Sequence, residues 1–300
     1  MKTPDICIAI PTYNREEVLI STIHEALGQS HKNIEVLVID QSLSHRPETT
    51  KALQSIKDPR YRYMLADPPS LPAARNFALH QSNAPIVHYL DDDVELTPDM
   101  VKHILRTFKE RPDISAVAGR VLQKDFPIKK EVLKFDEYGV THGVFTATDA
   151  DYTNTFPGGN HAIIVKDALA FGGYDTRYYG NAFREESDMA ARLIKAGRKI
   201  YYEPKVELLH LAAHYGGVET RVKGHIFDSK MFYRNELFFT LRTVKHGNRL
   251  RALRRKYREY CKVPSRKVTL KRSGYFCMGI LAALWRIAFG RQITTRERLA

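Results

Sequence analysis

Apolar positions in this 300-residue chain fall into two alternating patterns. Continuous apolar runs that stop at polar residues read as buried strands, and apolar residues recurring every three or four positions read as helices packed on one face. Residues 6–10 form the first run, closed by Pro11-Thr12-Tyr13-Asn14; a helix follows on Val18, Leu19, Thr22, Ile23, Ala26 and Leu27. A second strand, 34–39, ends at Asp40. A helix from about Pro47, a short strand at 61–65 and a helix opened by Pro72 come next, proline being well placed in a first helical turn. The pattern predicts a strand at 85–90, a helix at 98–110 and a strand at 114–122, then weakens over 123–155 into irregular or strand-rich chain. A strand at 161–165 and a helix at 189–194 restore it. Strands alternating with helices imply right-handed crossovers and a largely parallel sheet, so the predicted fold class is α/β.

The run over 85–90 ends in three consecutive carboxylates, Asp91-Asp92-Asp93. Carboxylates at a strand's carboxyl end, in an open parallel sheet, lie at the crevice where such folds bind ligands. Three adjacent anions call for a compensating cation. Oxygen ligands suit Mg²⁺ or Mn²⁺, ions that bring a phosphate with them. The triplet equally fits a solvated turn before a helix that starts at Thr97-Pro98-Asp99. Other strand ends converge on the same sheet edge. Tyr13 can pack on a base or ribose, or cap the sheet. Asp40 can accept hydrogen bonds from a base or ribose, or serve a turn. Arg75 can fork onto a diphosphate or anchor a carboxylate.

Composition changes the picture in one place. The net charge of +13 is concentrated: residues 242–272 hold thirteen Lys or Arg and one acid, Glu259, so the rest of the chain is near neutral. Basic tails bind nucleic acid or anionic membrane surfaces. Within this tail, 225–245 reads as a packing helix and 249–260 as a basic helix. The apolar stretch 275–285 is too short to span a bilayer, but beside a polybasic flank it can lie in the interface. A terminal helix closing the core is the other reading; the compositional balance favours an anionic membrane surface. The first apolar run is too short for a signal peptide. Cys7, Cys261 and Cys277 make neither a disulfide framework nor a zinc pattern. The expectation is a cytoplasmic protein, peripheral on the membrane face.

Pro11-Thr12-Tyr13-Asn14-Arg15, Val38-Ile39-Asp40-Gln41-Ser42, Pro72-Ala73-Ala74-Arg75-Asn76 and Leu90-Asp91-Asp92-Asp93, in this order and spacing, resemble glycosyltransferase family 2. The resemblance extends through Gly158-Gly159-Asn160, Gly172-Gly173-Tyr174-Asp175 and Arg184-Glu185-Glu186-Ser187-Asp188, about the first 220 residues. It implies a GT-A fold and sugar transfer from a nucleotide donor, mostly with inversion. Carried over, Pro11, Thr12, Tyr13, Asp40, Arg75, Asp91 and Asp92 would bind the nucleotide-sugar. Asp91 and Asp93 would be the outer members of an Asp-x-Asp motif, with Asp93 the direct ligand to Mg²⁺ or Mn²⁺. Gly158, Gly159 and Asn160 would border donor sugar and acceptor, although paired glycines also serve tight turns. Of the acids opening the helix before Met189, Glu186 is the candidate general base and Glu185 the second choice. Acids in a first turn are also what the helix dipole favours. His210 would complete the metal shell or touch the diphosphate, or else be a structural histidine. Its spacing to His214 does not make a zinc pair, since no glutamate follows it and Pro204 and Gly216-Gly217 favour strand and loop. The chain departs from many members after Asp40, where Ser42-Leu43-Ser44 stands in place of a further acid.

The expected organisation is a catalytic domain over 1–222, split at 122 into nucleotide-binding and acceptor-side halves, and a basic helical extension over 223–300. The expected partners are a nucleotide-sugar, UDP-linked by default, and a saccharide or lipid-linked acceptor, with no specific nucleic acid. Two other functions compete. A nucleotidyltransferase shares the sheet and the acids but needs a glycine-rich phosphate loop after the first strand, which Pro11-Thr12-Tyr13-Asn14-Arg15 lacks. A non-catalytic nucleic-acid binder rests on the tail alone and predicts salt-sensitive binding.

Overall fold

The computed structural model describes residues 2–213, 215–217 and 226–290. Its elements follow the apolar pattern closely in the first half: β1 (Ile6–Thr12), α1 (Glu17–Leu27), β2 (Ile34–Asp40), α2 (Pro47–Ser55), β3 (Tyr61–Leu65), α3 (Leu71–Gln81) and β4 (Ile86–Leu90). A short strand absent from the sequence reading, β5 (Val94–Leu96), comes next, before α4 (Met100–Glu110) and β6 (Ile114–Leu122). The weakly patterned stretch forms the small β7 (Lys134–Phe135) and β8 (Thr141–His142) hairpin and β9 (Asp151–Thr153). Then come β10 (Asn160–Ile164), α5 (Val165–Ala170), α6 (Glu185–Lys195), the long β11 (Lys199–His210), and the tail helices α7 (Lys230–Thr243), α8 (Arg249–Cys261) and α9 (Arg266–Phe289).

Among the described residues one nine-stranded sheet runs β3-β2-β1-β4-β10-β6-β11-β5, with β9 also paired to β11. Six strands, β1 to β4 with β6 and β11, point the same way; β5, β9 and β10 run against them. The chain winds outward from β1 through β2 to β3 and returns on the other side of β1 as β4. That reversal opens a crevice at the carboxyl ends of β1 and β4, where ligands bind in open sheets of this kind.

Alternation along the strands feeds two cores. Cys7 and Ala9 of β1 and Leu37 and Ile39 of β2 face α3, α5 and α6, whereas Ile6, Ile8, Ile10, Val36 and Val38 face α1, α2 and α4. With both faces covered, the strands need continuous apolar runs, which is why the runs were legible. A third, aromatic core joins Phe232, Tyr233, Phe238 and Phe239 of α7 to Tyr260, Phe276 and Ala283, and takes in Tyr178 from the chain before α6. The domain boundary expected at 222 and the helix start expected at His225 lie outside the described residues, as does His214.

Candidate active site

The crevice is lined by the end of β1 (Pro11, Thr12, Tyr13), the acid triplet after β4, and Pro69, Ser70 and Leu71 at the start of α3. His210 at the end of β11 and the loop that follows it close the remaining side. The three aspartates are sorted by their surroundings. Asp92 is turned into protein, accepting Thr12 Oγ1 at 2.7 Å and Arg15 Nε at 2.8 Å. Asp93 is buried as well and meets Arg15 Nη2 at 3.2 Å, the Ala213 backbone N–H at 2.8 Å and His210 Nε2 at 3.2 Å. Asp91 is the open one, its side chain 43 % exposed and 3.9 Å from His210 Nε2.

The electrostatics follow this sorting. Burial lifts the Asp92 carboxyl to about 6, more than Arg15 and Thr12 can offset. Desolvation likewise raises Asp91, against the pull of His210 and Arg75. Desolvation pushes Asp93 up too, but His210, the Ala213 N–H and Arg15 outweigh it and hold the carboxylate below its ordinary range. Arg15 therefore supplies part of the cation that the triplet called for, leaving the Asp91 side of the crevice short of positive charge.

Asp91, Asp93 and His210 come together as a donor set. His210 Nδ1 lies 3.2 Å from Gln123 Oε1, which accepts a hydrogen from that nitrogen and turns Nε2 toward the acids. Among the described residues no three His, Cys, Asp or Glu side chains form a ready-made metal cage. A donor set open on its crevice side suits a hard ion that keeps positions for phosphate oxygens or water. Carboxylate oxygens and an imidazole nitrogen are donors of the kind that Mg²⁺ or Mn²⁺ takes.

Other candidates are placed differently. Asp40 is absent from the crevice lining; Tyr63 Oη at 2.6 Å, the Ser42 N–H at 2.8 Å and His45 occupy its oxygens. Burial pushes its carboxyl up, but the bonds from Ser42, Tyr63 and His45 prevail and hold it low. Ser42 Oγ in turn accepts the Asn14 N–H at 2.7 Å, so Asp40 braces the turn that carries Tyr13. Arg75 faces inward: it donates to the Gly158 carbonyl at 2.9 Å and pairs with Glu185, both being buried. Glu186, next in line, is partly exposed and accepts Ser187 Oγ at 2.9 Å. Gly159 packs flat on Asp91, where a Cβ would come within 2.0 Å of Oδ2. Asn160 is fully buried behind the crevice, donating to the Arg120 and Val206 carbonyls at 2.9 Å and facing His88.

The sequence reading assigned no role to Arg15, Gln123 or the loop 211–217. Arg15 holds the carbonyls of Ala213 and Tyr215 besides the two aspartates, and the Gly217 N–H reaches the Tyr13 carbonyl at 2.8 Å. Arg15 closes the quoted Pro-Thr-Tyr-Asn-Arg string, a lone cation facing three anions, and that signal was available. Nothing in the sequence ties Gln123 to His210.

A family model described as Glycosyl transferase family 2 matches residues 7–168, more than half of the chain. The putative colanic acid biosynthesis glycosyl transferase WcaA of Escherichia coli K12 is 30% identical over 103 residues, covering 34% of this chain and 37% of that protein. The Campylobacter jejuni GalNAc(5)-diNAcBac-PP-undecaprenol beta-1,3-glucosyltransferase is 25% identical over 185 residues, 59% of this chain and 57% of that protein. The chain thus spans less than two thirds of the length of these curated relatives. Among solved structures, GalNAc-T7 with UDP, GalNAc and Mn²⁺ aligns with a TM-score of 0.67 at 13% identity, over 95% of this chain and 57% of that one. The mannosyltransferase PcManGT from Pyrobaculum calidifontis with GDP-Man and Mn²⁺ aligns at 0.55 and 14% identity, over 97% and 89%. At such identities the likeness speaks for the fold.

Proposed function

The chain belongs to glycosyl transferase family 2 and is a glycosyltransferase with the GT-A fold, and from that premise we propose a divalent-metal-dependent, inverting transfer from a nucleoside diphosphate sugar to a saccharide or lipid-linked acceptor. The observation that carries this reading is the acid set at the crevice, with Asp91 open to it, Asp93 beside His210, and Arg15 paired to Asp92 and Asp93. Pro11, Thr12 and Tyr13 would line the nucleotide, UDP by default, with Asp40 positioning their turn through Ser42. The donors of Asp91, Asp93 and His210 would hold the ion, and Asp92 with Arg15 would hold those donors in place. A bound Mg²⁺ or Mn²⁺ supplies positive charge at the leaving diphosphate.

In the transfer, an acceptor hydroxyl oxygen bonds to the anomeric carbon while the bond from that carbon to the diphosphate breaks. Its electron pair leaves with the nucleoside diphosphate. Glu186 takes the hydroxyl proton, a task a carboxylate performs once held within hydrogen-bond reach. Arg75 and Glu185, locked together and to Gly158, would fix the first turn of α6 against the donor-side loop. Residues 1–222 would be the catalytic unit, with 223–300 its helical extension. The relatives' names, one for colanic acid biosynthesis and one for an undecaprenol-linked saccharide, support a growing envelope glycan as the acceptor.

The test is a nucleotide-sugar panel with and without Mn²⁺, on wild type, Asp93→Asn and Glu186→Gln. Metal-dependent transfer lost in both variants is the expected result. Full transfer by Asp93→Asn in the presence of a chelator overturns the metal assignment. Full transfer by Glu186→Gln, with loss in Glu185→Gln, moves the base to Glu185.

A further inference from the structure

The helix α9 has two faces of different fate. Phe276, Gly279, Ala283 and Arg286 are buried, and Gly279 sits so close to α7 that a Cβ would meet Leu237 at 2.8 Å and the Tyr233 carbonyl at 2.9 Å. Met278, Leu281, Trp285 and Phe289 are exposed at 47, 68, 62 and 74 %. The helical repeat puts Lys267, Lys271, Met278, Leu281 and Trp285 on one stripe, basic at its start and apolar for the rest. Isolated apolar side chains on a surface need no explanation, but a continuous apolar stripe marks an interaction surface.

We propose that this outward stripe of α9 docks the enzyme on an anionic lipid bilayer, the helix lying in the interface plane with Met278, Leu281 and Trp285 in the headgroup–acyl boundary. Charge complementarity selects this occupant. Arg266–Phe289 contains no acid, and Arg254, Arg258, Lys262, Arg266 and Lys267 are exposed with no ion-pair partner among the described residues. Anionic headgroups would neutralise that excess, whereas a second copy of α9 would bring only more cations. An indole at the rim of an apolar patch suits the same boundary, where its ring is buried and its N–H stays wet. No helix of the described residues is long and apolar enough to cross a membrane, so an in-plane lie is the geometry left to α9. Docking is independent of the transfer chemistry, and it brings the enzyme to acceptors that are lipid-anchored.

The chain holds a single tryptophan, Trp285, so its emission reports this face directly. The experiment mixes the full chain with phosphatidylcholine vesicles, with and without phosphatidylglycerol, and reads flotation and Trp285 emission. The expected result is co-flotation and a blue shift with the anionic vesicles alone, weakened by salt. Leu281→Asp and the double variant Lys267→Glu/Lys271→Glu should each lose binding at least about tenfold, with transfer to a water-soluble acceptor unchanged. The exposed positions of both variants, checked by thermal melting, separate loss of docking from loss of fold. Flotation without a blue shift, binding of both variants equal to wild type, or a Leu281-dependent dimer in sedimentation that leaves vesicles untouched each overturns the proposal.

Discussion

Two sets of carboxylates in this molecule are balanced differently. Where the tail meets the catalytic part, acids are matched. Glu236 of α7 is fully buried between Arg184 Nε at 2.6 Å and Lys256, which also donates to the Gly139 carbonyl at 2.7 Å. Burial pushes its carboxyl up, but the two cations overcome it and hold it at about 2. Asp175 is held at about 2 in the same way by Arg177 and Arg242 against its own desolvation, and Asp188 lies between Arg192 and Arg242. In the crevice only Asp93 is held low, by His210, the Ala213 N–H and Arg15, while burial raises Asp92 to about 6 and raises Asp91 beside it. Matched clusters set geometry, here the left-handed Arg184 that leads into Glu185 and Glu186. Unmatched ones retain the capacity to take up a cation.

Substitutions should separate the two sets. Asp93→Asn should lower transfer by about 10³-fold or more, the scale of losing one electrostatic stabiliser of the reacting charge, while leaving the melting temperature close to wild type. Loss of fold in that variant would erase the distinction. Glu236→Ala should do the reverse in order, since it strands Lys256 and Arg184. Urea denaturation should show a loss of about 3–5 kcal/mol, with transfer falling only as α6 loosens. Gly159→Ala forces the Asp91 side chain aside and should raise the Mn²⁺ concentration needed for half-maximal rate by about tenfold, a 1.4 kcal/mol effect, with little change in stability.

The pH dependence of stability takes opposite signs in the two sets. Glu236 and Asp175 have folded values below their unfolded ones, so their stabilisation is complete above about 4.5 and is lost as pH falls toward 2. Asp92 has a folded value above its unfolded 3.8, so it costs stability above about 6 and the cost disappears as pH drops through that window toward 3.8. Denaturation midpoints of wild type and Asp92→Asn between pH 4 and pH 7 measure this, and the variant's curve should be the flatter. A steeper curve in the variant would assign the charge deficit elsewhere.

Much of this was legible in advance, for reasons that particular residues make plain. The runs 34–39 and 114–122 are mostly apolar, broken only by Glu35, Ser115 and Arg120, because both sheet faces are covered, and they match β2 and β6 to within a residue. The short β5 escaped notice because three residues between acids and a helix start carry no periodicity. Its place is set by pairing with β11 across Val94 and His210, more than a hundred positions apart. Asp40 was readable as a strand-end acid, but its capture by Tyr63 and His45 was not, since neither partner belongs to a local motif.

By itself the sequence determined the alternation of strands and helices, the acids at a strand's carboxyl end, the basic tail and the family to which these belong, because each is written in local order and spacing. Tertiary structure alone decided which aspartate is satisfied by Arg15 and which remains open. It also decided that Arg75 holds Glu185, and that one side of α9 stays uncovered. Charge balance and burial are sums over neighbours brought together from distant parts of the chain, and no local pattern carries them.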